Sequence, residues 1–575
     1  MRKSQALLVL LLAVCISSLI SAQEPADDAA KEKQKRKDLL VEQILAEIPN
    51  LKLAENRALV YARVGGLEWN SDQARARSLF QAAIAELINA QTLAEANQAR
   101  VSYQNELLTS GSTRPAILQA IAANDAELAL SALVRTRPAA VAKAMMAPAA
   151  KTDKISNYAQ NNNYVAQNEL NMEQTFVRLA ADQNPERAIK LLKDSLAKGP
   201  SNESLNLLKK LAEKDRSAAK EIGAQLVDKL IQANITVNNL PNYPNIQISI
   251  AYLNDFIAVQ KQSEGIFADS QMQKLADKLV SYFRTNHGGY MDYSIVTIAE
   301  KLSPAAAPQL KQHVNNGWNE GGLRPAYDPE LSNLMNSSET PPDQLLSLVG
   351  KYPHSRQMIV QNVANRFAQQ GDVNRAAELI KDNFADDTLD EAMRNLNQQY
   401  ANFLINQGRF IEAERVIDQF PENSRFSALI SLATNIFQKD NAENKTYALA
   451  VVSKAIGLLP EKPVTSTDMS NFMQVIRAYS DIEPAEASRM YEGLVPQLNE
   501  LIDGAAVINE FQGGGNVREG EFLLSQGYWI NSYGVDVSAF RNLANKDFNG
   551  SIGLIDGFSR REIRISMKLD LASSL

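Results

Sequence analysis

Histidine, cysteine and carboxylate side chains are the residues whose spacing would reveal a metal site or a nucleophile. The chain has three histidines, His287, His313 and His354, and each stands far from the others. A helical zinc site of the His-Glu-x-x-His kind needs two histidines one turn apart on the same face. The sequence therefore predicts no metal site, and the three histidines are interpreted as surface or loop residues.

The sequence also lacks the usual nucleophile and phosphate-binding motifs. Its single cysteine, Cys15, lies in an N-terminal apolar segment, so the rest of the chain has no thiol for covalent catalysis. No Gly-x-Ser-x-Gly elbow occurs. The run Gly513-Gly514-Gly515 is not followed by Gly-Lys-Ser/Thr and is not preceded by a predicted strand, as a phosphate loop requires. We predict no cofactor.

Carboxylate and tyrosine chemistry would point to a carbohydrate-active enzyme. Lytic transglycosylases combine a long helical superhelix with a catalytic domain that holds a general-acid glutamate. Glu203-Ser204 is the suggestive dipeptide here, but it lacks the Gly- and Met-rich continuation of such domains. Lyases built on helical toroids use Tyr and His near a cleft, which makes Tyr290 with His287 the pair to inspect. A carbohydrate-active envelope enzyme of lyase or transglycosylase type is therefore the alternative function.

Four aromatic residues in Gly- or Pro-rich stretches are candidates for binding a partner. Trp318 and Tyr327 lie in one such stretch, and Trp529 and Tyr533 lie in another, after the triple glycine. Aromatic side chains anchor many protein interfaces. The same residues could instead pack their own loops against neighbouring helices. Both interpretations stay open, and the sequence assigns no specific partner-binding residue.

The elements that would position these residues follow an internal repeat. Two segments share the order small residue, large apolar residue, glycine, alanine, large apolar residue, at a constant offset of 37 residues. Such an order predicts a helical hairpin, because glycine ends the first helix and alanine lets the second approach closely. The matched positions are Ala364, Phe367, Gly371, Ala376 and Ile380 in the first copy, and Ala401, Leu404, Gly408, Ala413 and Ile417 in the second.

This pattern resembles the tetratricopeptide repeat, whose usual period is 34 residues. The resemblance is clearest over about residues 355–420 and implies antiparallel helix pairs stacked as an α-solenoid. The sequence thus predicts an all-α, tetratricopeptide-repeat-like (TPR-like) superhelix. Weaker copies place helix pairs at three other positions: Val64, Leu67, Ser71, Ala76, Phe80 and Ala83; Ile117, Ala120, Asn124, Ala129 and Leu133; and Val475, Ala478, Ile482, Ala487 and Tyr491.

Composition shifts divide the chain into nine predicted segments. They are a signal peptide (1–22), a flexible lead (23–30), an N-terminal helical repeat block (31–147), a polar Asn/Gln-rich linker (148–171), a middle helical block (172–302), an irregular Gly/Pro-rich segment (303–345), TPR-like helical repeats (346–504), a Gly-rich loop segment (505–535), and C-terminal helices that cap the array (536–575).

The N-terminus has the basic, apolar and cleavage regions of a secretory signal peptide, with cleavage expected after Ala22. A lipoprotein signal around Cys15 is disfavoured because Val14 is bulky and the apolar run continues past the thiol. Removing residues 1–22 takes away Arg2 and Lys3 and no acid, which changes the formal charge from −7 to −9. An acidic chain is a poor ligand for nucleic acid, since phosphate binding needs clustered Lys and Arg.

These observations lead to one functional expectation. An exported α-solenoid of this kind presents a curved surface to an extended ligand. We therefore expect a periplasmic or extracellular scaffold that binds a protein or peptide partner, without stable membrane insertion after cleavage.

Overall fold

The computed structural model describes residues 24–97, 103–139, 141–142, 157–233, 243–259, 265–284, 291–320, 329–439, 444–513, 515–526 and 537–575. Helices account for most of them, as the predicted all-α class requires. Across these described residues, no helix combines the length and apolarity needed to cross a membrane. The predicted signal peptide and Cys15 lie outside the described residues.

The chain divides into two compact units, one made of residues 118–413 and the other of residues 1–117 and 414–575. The helices α4 (Tyr103–Ala122) and α19 (Phe410–Ile417) each contain one of the two division points. This division cuts across the predicted segments, because it joins the two ends of the chain in one unit.

Residues 118–413 form a succession of helices whose neighbours in sequence pack together. The buried side chains of the described residues include two apolar cores, one over residues 177–310 and the other over residues 331–396. The helices are α5 (Ala126–Arg135), α6 (Asn157–Gln183), α7 (Ala188–Leu196), α8 (Ser204–Lys214), α9 (Arg216–Gln232), α10 (Tyr243–Val259), α11 (Asp269–Phe283), α12 (Met291–Leu302), α13 (Ala307–Glu320), α14 (Pro329–Asn336), α15 (Pro342–Ser347), α16 (Arg356–Gln369), α17 (Val373–Lys381) and α18 (Asp386–Asn406).

The other unit brings the first and last helices of the described residues together. Between them lies a short antiparallel hairpin, β1 (Val517–Arg518) and β2 (Glu521–Phe522), in which Val517 pairs with Phe522. The helices are α1 (Glu24–Glu47), α2 (Ala54–Glu68), α3 (Gln73–Asn97), α20 (Glu422–Lys439), α21 (Lys445–Ile456), α22 (Ser466–Ile482), α23 (Pro484–Phe511), α24 (Val537–Lys546), α25 (Phe548–Asp556) and α26 (Arg561–Ser574).

The 37-residue repeat forms the two predicted helical hairpins, α16–α17 and α18–α19. All eight matched apolar positions are buried. Gly371 and Gly408 adopt left-handed φ values of 88° and 71°, which glycine tolerates best. The next residue after each glycine donates its backbone N–H to the carbonyl five residues earlier: Asp372 to Phe367 at 2.9 Å and Arg409 to Leu404 at 2.8 Å. This is the Schellman end of a helix.

The weaker copies at 64–83 and 475–491 form packed helical hairpins, α2–α3 and α22–α23, and the copy at 117–133 spans the end of α4 and the start of α5. Aspartates often begin the second helix of a pair. Asp125, Asp215, Asp372 and Asp547 each accept the backbone N–H three residues on, which satisfies one of the unpaired donors at a helix start.

The predicted polar linker, 148–171, is wrong from residue 157 onward, because α6 begins there. Glutamine side chains of α6 bond to the polar groups of a neighbouring turn. Gln167 donates to the carbonyl of Pro200 at 2.9 Å, and Gln174 donates to that of Gly199 at 3.0 Å. A segment rated as poor in helix formers is thus held in a helix by tertiary hydrogen bonds. Residues 148–156 lie outside the described ranges.

The two segments predicted to be irregular also contain helices. Within 303–345, Pro329 and Pro342 are the first residues of α14 and α15, positions where proline's missing N–H costs nothing. Within 505–535, α23 continues to Phe511 before the β1–β2 hairpin begins. Pro329 and Pro342 therefore mark helix starts within the first segment, and residues 321–328, 514 and 527–536 lie outside the described ranges.

Candidate interaction surface

Most of the histidines and aromatics singled out from the sequence lie outside the described part of the structure. His313 is half-buried in α13, and the side chains of His354 and Trp318 lie outside the described part of the structure, as do His287 and Tyr290. The aromatic candidates Tyr327, Trp529 and Tyr533 fall in the undescribed ranges too. Among the residues that the structure describes, no group of three or more His, Cys, Asp or Glu side chains could hold a metal ion.

Glu203 and Ser204 belong to a packing network rather than to a cleft. The Glu203 carboxylate pairs with Arg178 and accepts a bond from Asn206 at 3.2 Å. The Ser204 hydroxyl donates to the Ser201 carbonyl at 2.7 Å and lies 2.8 Å from the Tyr252 hydroxyl. Burial raises the pKa of the Tyr252 phenol. These contacts tie α6, α8 and α10 together.

A second polar cluster on α6 contains two buried carboxylates one turn apart, Glu169 and Glu173. Arg137 donates to Glu169 at 2.9 Å, and Lys198 donates to Glu173 at 2.5 Å. The second oxygen of Glu173, Oε2, lacks a hydrogen bond and lies 3.9 Å from Arg137. Each acid therefore faces a cation, as buried charges must. This pair was not predicted from the sequence, because Glu169 falls within the predicted linker, 148–171.

A third cluster groups Glu414, Asp418, Tyr447 and Lys454. Lys454 donates to both carboxylates, at 2.8 Å to Glu414 and 2.8 Å to Asp418, and the Tyr447 hydroxyl donates to Glu414 at 2.7 Å. Burial, together with the hydrogen bond to Glu414, raises the pKa of the Tyr447 phenol. A raised pKa keeps the phenol protonated near neutral pH, which is the wrong direction for a catalytic base. The cluster acts as an ion-paired link between helices.

The last three turns of α23 carry an exposed apolar face, which we call the α23 face and define by Leu501, Gly504, Val507, Ile508 and Phe511. The exposed fractions of the four large side chains are 43%, 68%, 58% and 91% in that order. The opposite side of the same helix is packed: Leu498, Ile502 and Ala506 are buried in the core of the unit.

Helical spacing produces this arrangement. With about 100° of rotation per residue, the α23 face lies on one side of the helix, opposite the packed side. A helix that is apolar on both sides normally has both sides covered. The predicted Gly-rich loop segment, 505–535, included Val507, Ile508 and Phe511, and for this reason the face was not predicted, although its helical spacing is present in the sequence.

The remaining exposed apolar residues include single side chains such as Val464, which is 83% exposed, and Ile411, which is 63% exposed. Isolated residues of this kind are common on protein surfaces. The α23 face differs because its four large side chains follow one another along a single helix. This contiguity makes it the candidate interaction surface.

Comparison with known proteins identifies no family. No family model matches the chain, and no curated protein matches it. One solved structure, described as a circular tandem repeat protein with novel repeat topology and enhanced subunit contact surfaces, aligns with 94% of this chain and 97% of its own. The identity is 12% and the TM-score is 0.13, and these values are too low to establish a common fold. The helical-repeat fold rests on the hairpins described above.

Proposed function

We propose that this chain is an exported helical-repeat scaffold that binds a protein or peptide partner through the α23 face. The observation that carries the proposal is the contiguous apolar strip on a helix whose other side is already packed. Contiguous exposed apolar surface on a soluble protein is a mark of an interaction site. The TPR-like resemblance of residues 355–420 agrees with a binding scaffold.

A docked partner would gain free energy by covering the apolar surface of the α23 face. Burying a large apolar side chain contributes about 1.5–3 kcal/mol, so the four large residues of the face can anchor a partner. Phe511 is 91% exposed, so a partner could bury nearly all of its apolar side-chain surface. A docked partner would thus gain most at Phe511 and Ile508.

Export is the second part of the proposal and rests on the N-terminal sequence. Mass spectrometry of the mature protein from its native cell should find Gln23 as the first residue. An intact N-terminus in the exported fraction would refute the cleavage site after Ala22.

A site-specific photo-crosslinker tests the binding proposal in the native envelope. Benzoylphenylalanine at position 511 should yield a discrete crosslinked protein or peptide, since the side chain there faces the partner. The matched control carries the same group at position 464, where Val464 is similarly exposed but isolated. A discrete product at 464 but not at 511, or no product at either position, would refute a partner at this face.

A further inference from the structure

The α23 face has a distinctive charge environment. Between Arg489 and Arg518 the chain contains no Lys, Arg or His, and it contains four acids: Glu492, Glu500, Asp503 and Glu510. With about 100° of rotation per residue, helical spacing places Asp503 and Glu510 along one edge of the face and Glu500 at its N-terminal end, in line with Val507 and Phe511. The apolar strip is therefore bordered by acids on one side.

Part of this acidic edge is fixed by contacts within the unit. Asp503 pairs with Arg560 at 2.7 Å, and Glu510 accepts the backbone N–H of Gly520 at 3.2 Å. Arg560 is largely buried and is also bonded to Glu562 at 3.1 Å. Arg560 is thus already shared between two acids. Lys52 is another cation near this edge, since its ammonium donates to the Glu519 carbonyl at 2.8 Å. The acids Glu500, Asp503, Glu510 and Glu562 outnumber these two cations, so the edge keeps an acidic balance.

We propose that the occupant of the α23 face is an amphipathic helical segment with basic residues along one flank. This inference rests on the proposed function and adds the chemistry of the partner. The face runs for about 15 Å, the length of a three-turn helix at about 1.5 Å per residue. A helix with apolar residues at i, i+4 and i+7 would cover the strip. Lys or Arg beside these residues would meet the acidic edge.

The same charges argue against an anionic lipid surface as the occupant. Lipid-binding helices carry Lys or Arg beside their apolar side, which attracts anionic headgroups. The α23 face has acids in that place. An acidic edge would be repelled by such a surface and attracted by a basic peptide.

Synthetic peptides can test the inference on the purified whole chain. Three 18-residue helical peptides share one composition of apolar residues: the first has lysines on the flank, the second has glutamates there, and the third has lysines with a scrambled apolar order. Fluorescence anisotropy should show the lysine peptide binding at least about tenfold more tightly than either other peptide at low salt. The preference over the glutamate peptide should shrink as salt is raised.

Two variants with matched controls locate the site. The double variant I508S/F511S should weaken binding of the lysine peptide by about tenfold or more, whereas V464S should leave it unchanged. The double variant E500Q/E510Q should weaken it by about three- to tenfold and leave the glutamate peptide unaffected or slightly tighter. The amide that E510Q introduces keeps an oxygen that can accept the Gly520 N–H, so the fold around the hairpin should persist.

The outcomes distinguish a failure of this inference from a failure of the proposed function. Equal binding of lysine and glutamate peptides would overturn the basic partner and leave the α23 face as a docking site. A discrete crosslink at position 511 with no peptide binding would overturn a helical occupant and keep the proposed function. Self-association abolished by I508S/F511S in sedimentation would assign the face to a second copy and overturn the inference. Binding of the whole chain to phosphatidylcholine vesicles, lost in the same variant, would also overturn it.

Discussion

Replacing Glu521 with alanine should detach the N-terminal segment around Lys52 from the hairpin near the end of the chain. Glu521 lies in β2 and is buried. Its carboxylate accepts the backbone N–H of Lys52 at 2.6 Å, that of Leu53 at 3.2 Å, and the Asn56 side-chain amide at 2.6 Å. Lys52 and Leu53 stand immediately before α2, so Glu521 satisfies N–H groups at a helix start from more than 460 residues away.

The structure sets the size of the effect. Alanine would leave two backbone donors and one amide donor without this acceptor in a largely buried place. Each unsatisfied buried donor costs about 1–3 kcal/mol, and partial access of water reduces the sum. We expect E521A to destabilise this contact by about 3–5 kcal/mol. E521Q should cost about 1–2 kcal/mol, because the amide keeps one acceptor oxygen but turns an NH₂ group toward the donors.

Hydrogen exchange measures this loss locally. The backbone amides of Lys52 and Leu53 should lose about 150- to 5000-fold of their protection in E521A, which corresponds to the free energy above. Glu519→Ala is the matched control, since Glu519 is an exposed acid two residues away. Equal loss of protection in E521A and E519A would show that the Glu521 carboxylate does not hold these two amides.

The pH dependence of the same contact has a definite sign. Burial raises the pKa of Glu521 above its ordinary value of 4.5, against the lowering effect of its hydrogen bonds, and the nearby Glu562 raises it further. A carboxyl whose pKa is higher in the folded state contributes most below its unfolded pKa and loses that contribution as pH rises through the folded pKa. The free energy of unfolding of the wild type minus that of E521Q should therefore fall from about pH 4.5 towards neutrality. A difference that rises over this range would contradict the raised pKa.

Two further variants test the hairpin turns and the helix ends. Gly371→Ala should cost about 2–4 kcal/mol, because φ is 88° and a Cβ there would lie 2.9 Å from the Phe403 ring; Gly350→Ala, which meets nothing within 4 Å, is the control in urea unfolding. Lys278 donates to the carbonyls of Leu230 at 3.0 Å and Ile231 at 2.6 Å, so Lys278→Met should cost about 1–3 kcal/mol and speed exchange at the end of α9, whereas the exposed Lys274→Met should do neither.

The helical hairpins could be predicted because their signals are local. A pattern of only 17 residues predicts where one helix ends and where the next one packs; its positions are Ala364, Phe367, Gly371, Ala376 and Ile380. The start of α6 could not be predicted in this way. Its amides bond to a turn some 25–33 residues further on, and no local pattern announces those partners.

Contacts between residues far apart in the sequence are harder still to predict. The contact of Glu521 with Leu53 joins residues 468 positions apart, and in the sequence Glu521 is one acid among 66. Lys568 is another example, since it is buried where the Glu47 carboxylate lies 3.1 Å away. The α23 face is different, because its helical spacing is visible in the sequence. Only the structure shows that the opposite side of α23 is already packed, and this is what leaves the face open.

The two ends of the chain explain why the α23 face is not simply an uncovered end of a repeat array. A terminal repeat exposes core unless something covers it, and the C-terminal helices were predicted to do this. In the structure α26 packs against α1 and α2, and the ion pairs Arg564–Glu47 and Arg63–Asp570 lie within the same contact. The first and last helices of the described residues thus pack against each other.

The apolar strip on α23 lies elsewhere in the same unit. Helix α23 packs on α22, α24 and α25 through its other side, so its own core contacts are complete. An apolar face that the core does not need exposes surface at a cost in solubility. Folding of this unit does not account for the retention of Val507, Ile508 and Phe511 at exposed positions. A partner that buries these side chains would account for it. Because the edge beside them is acidic, that partner should carry positive charge.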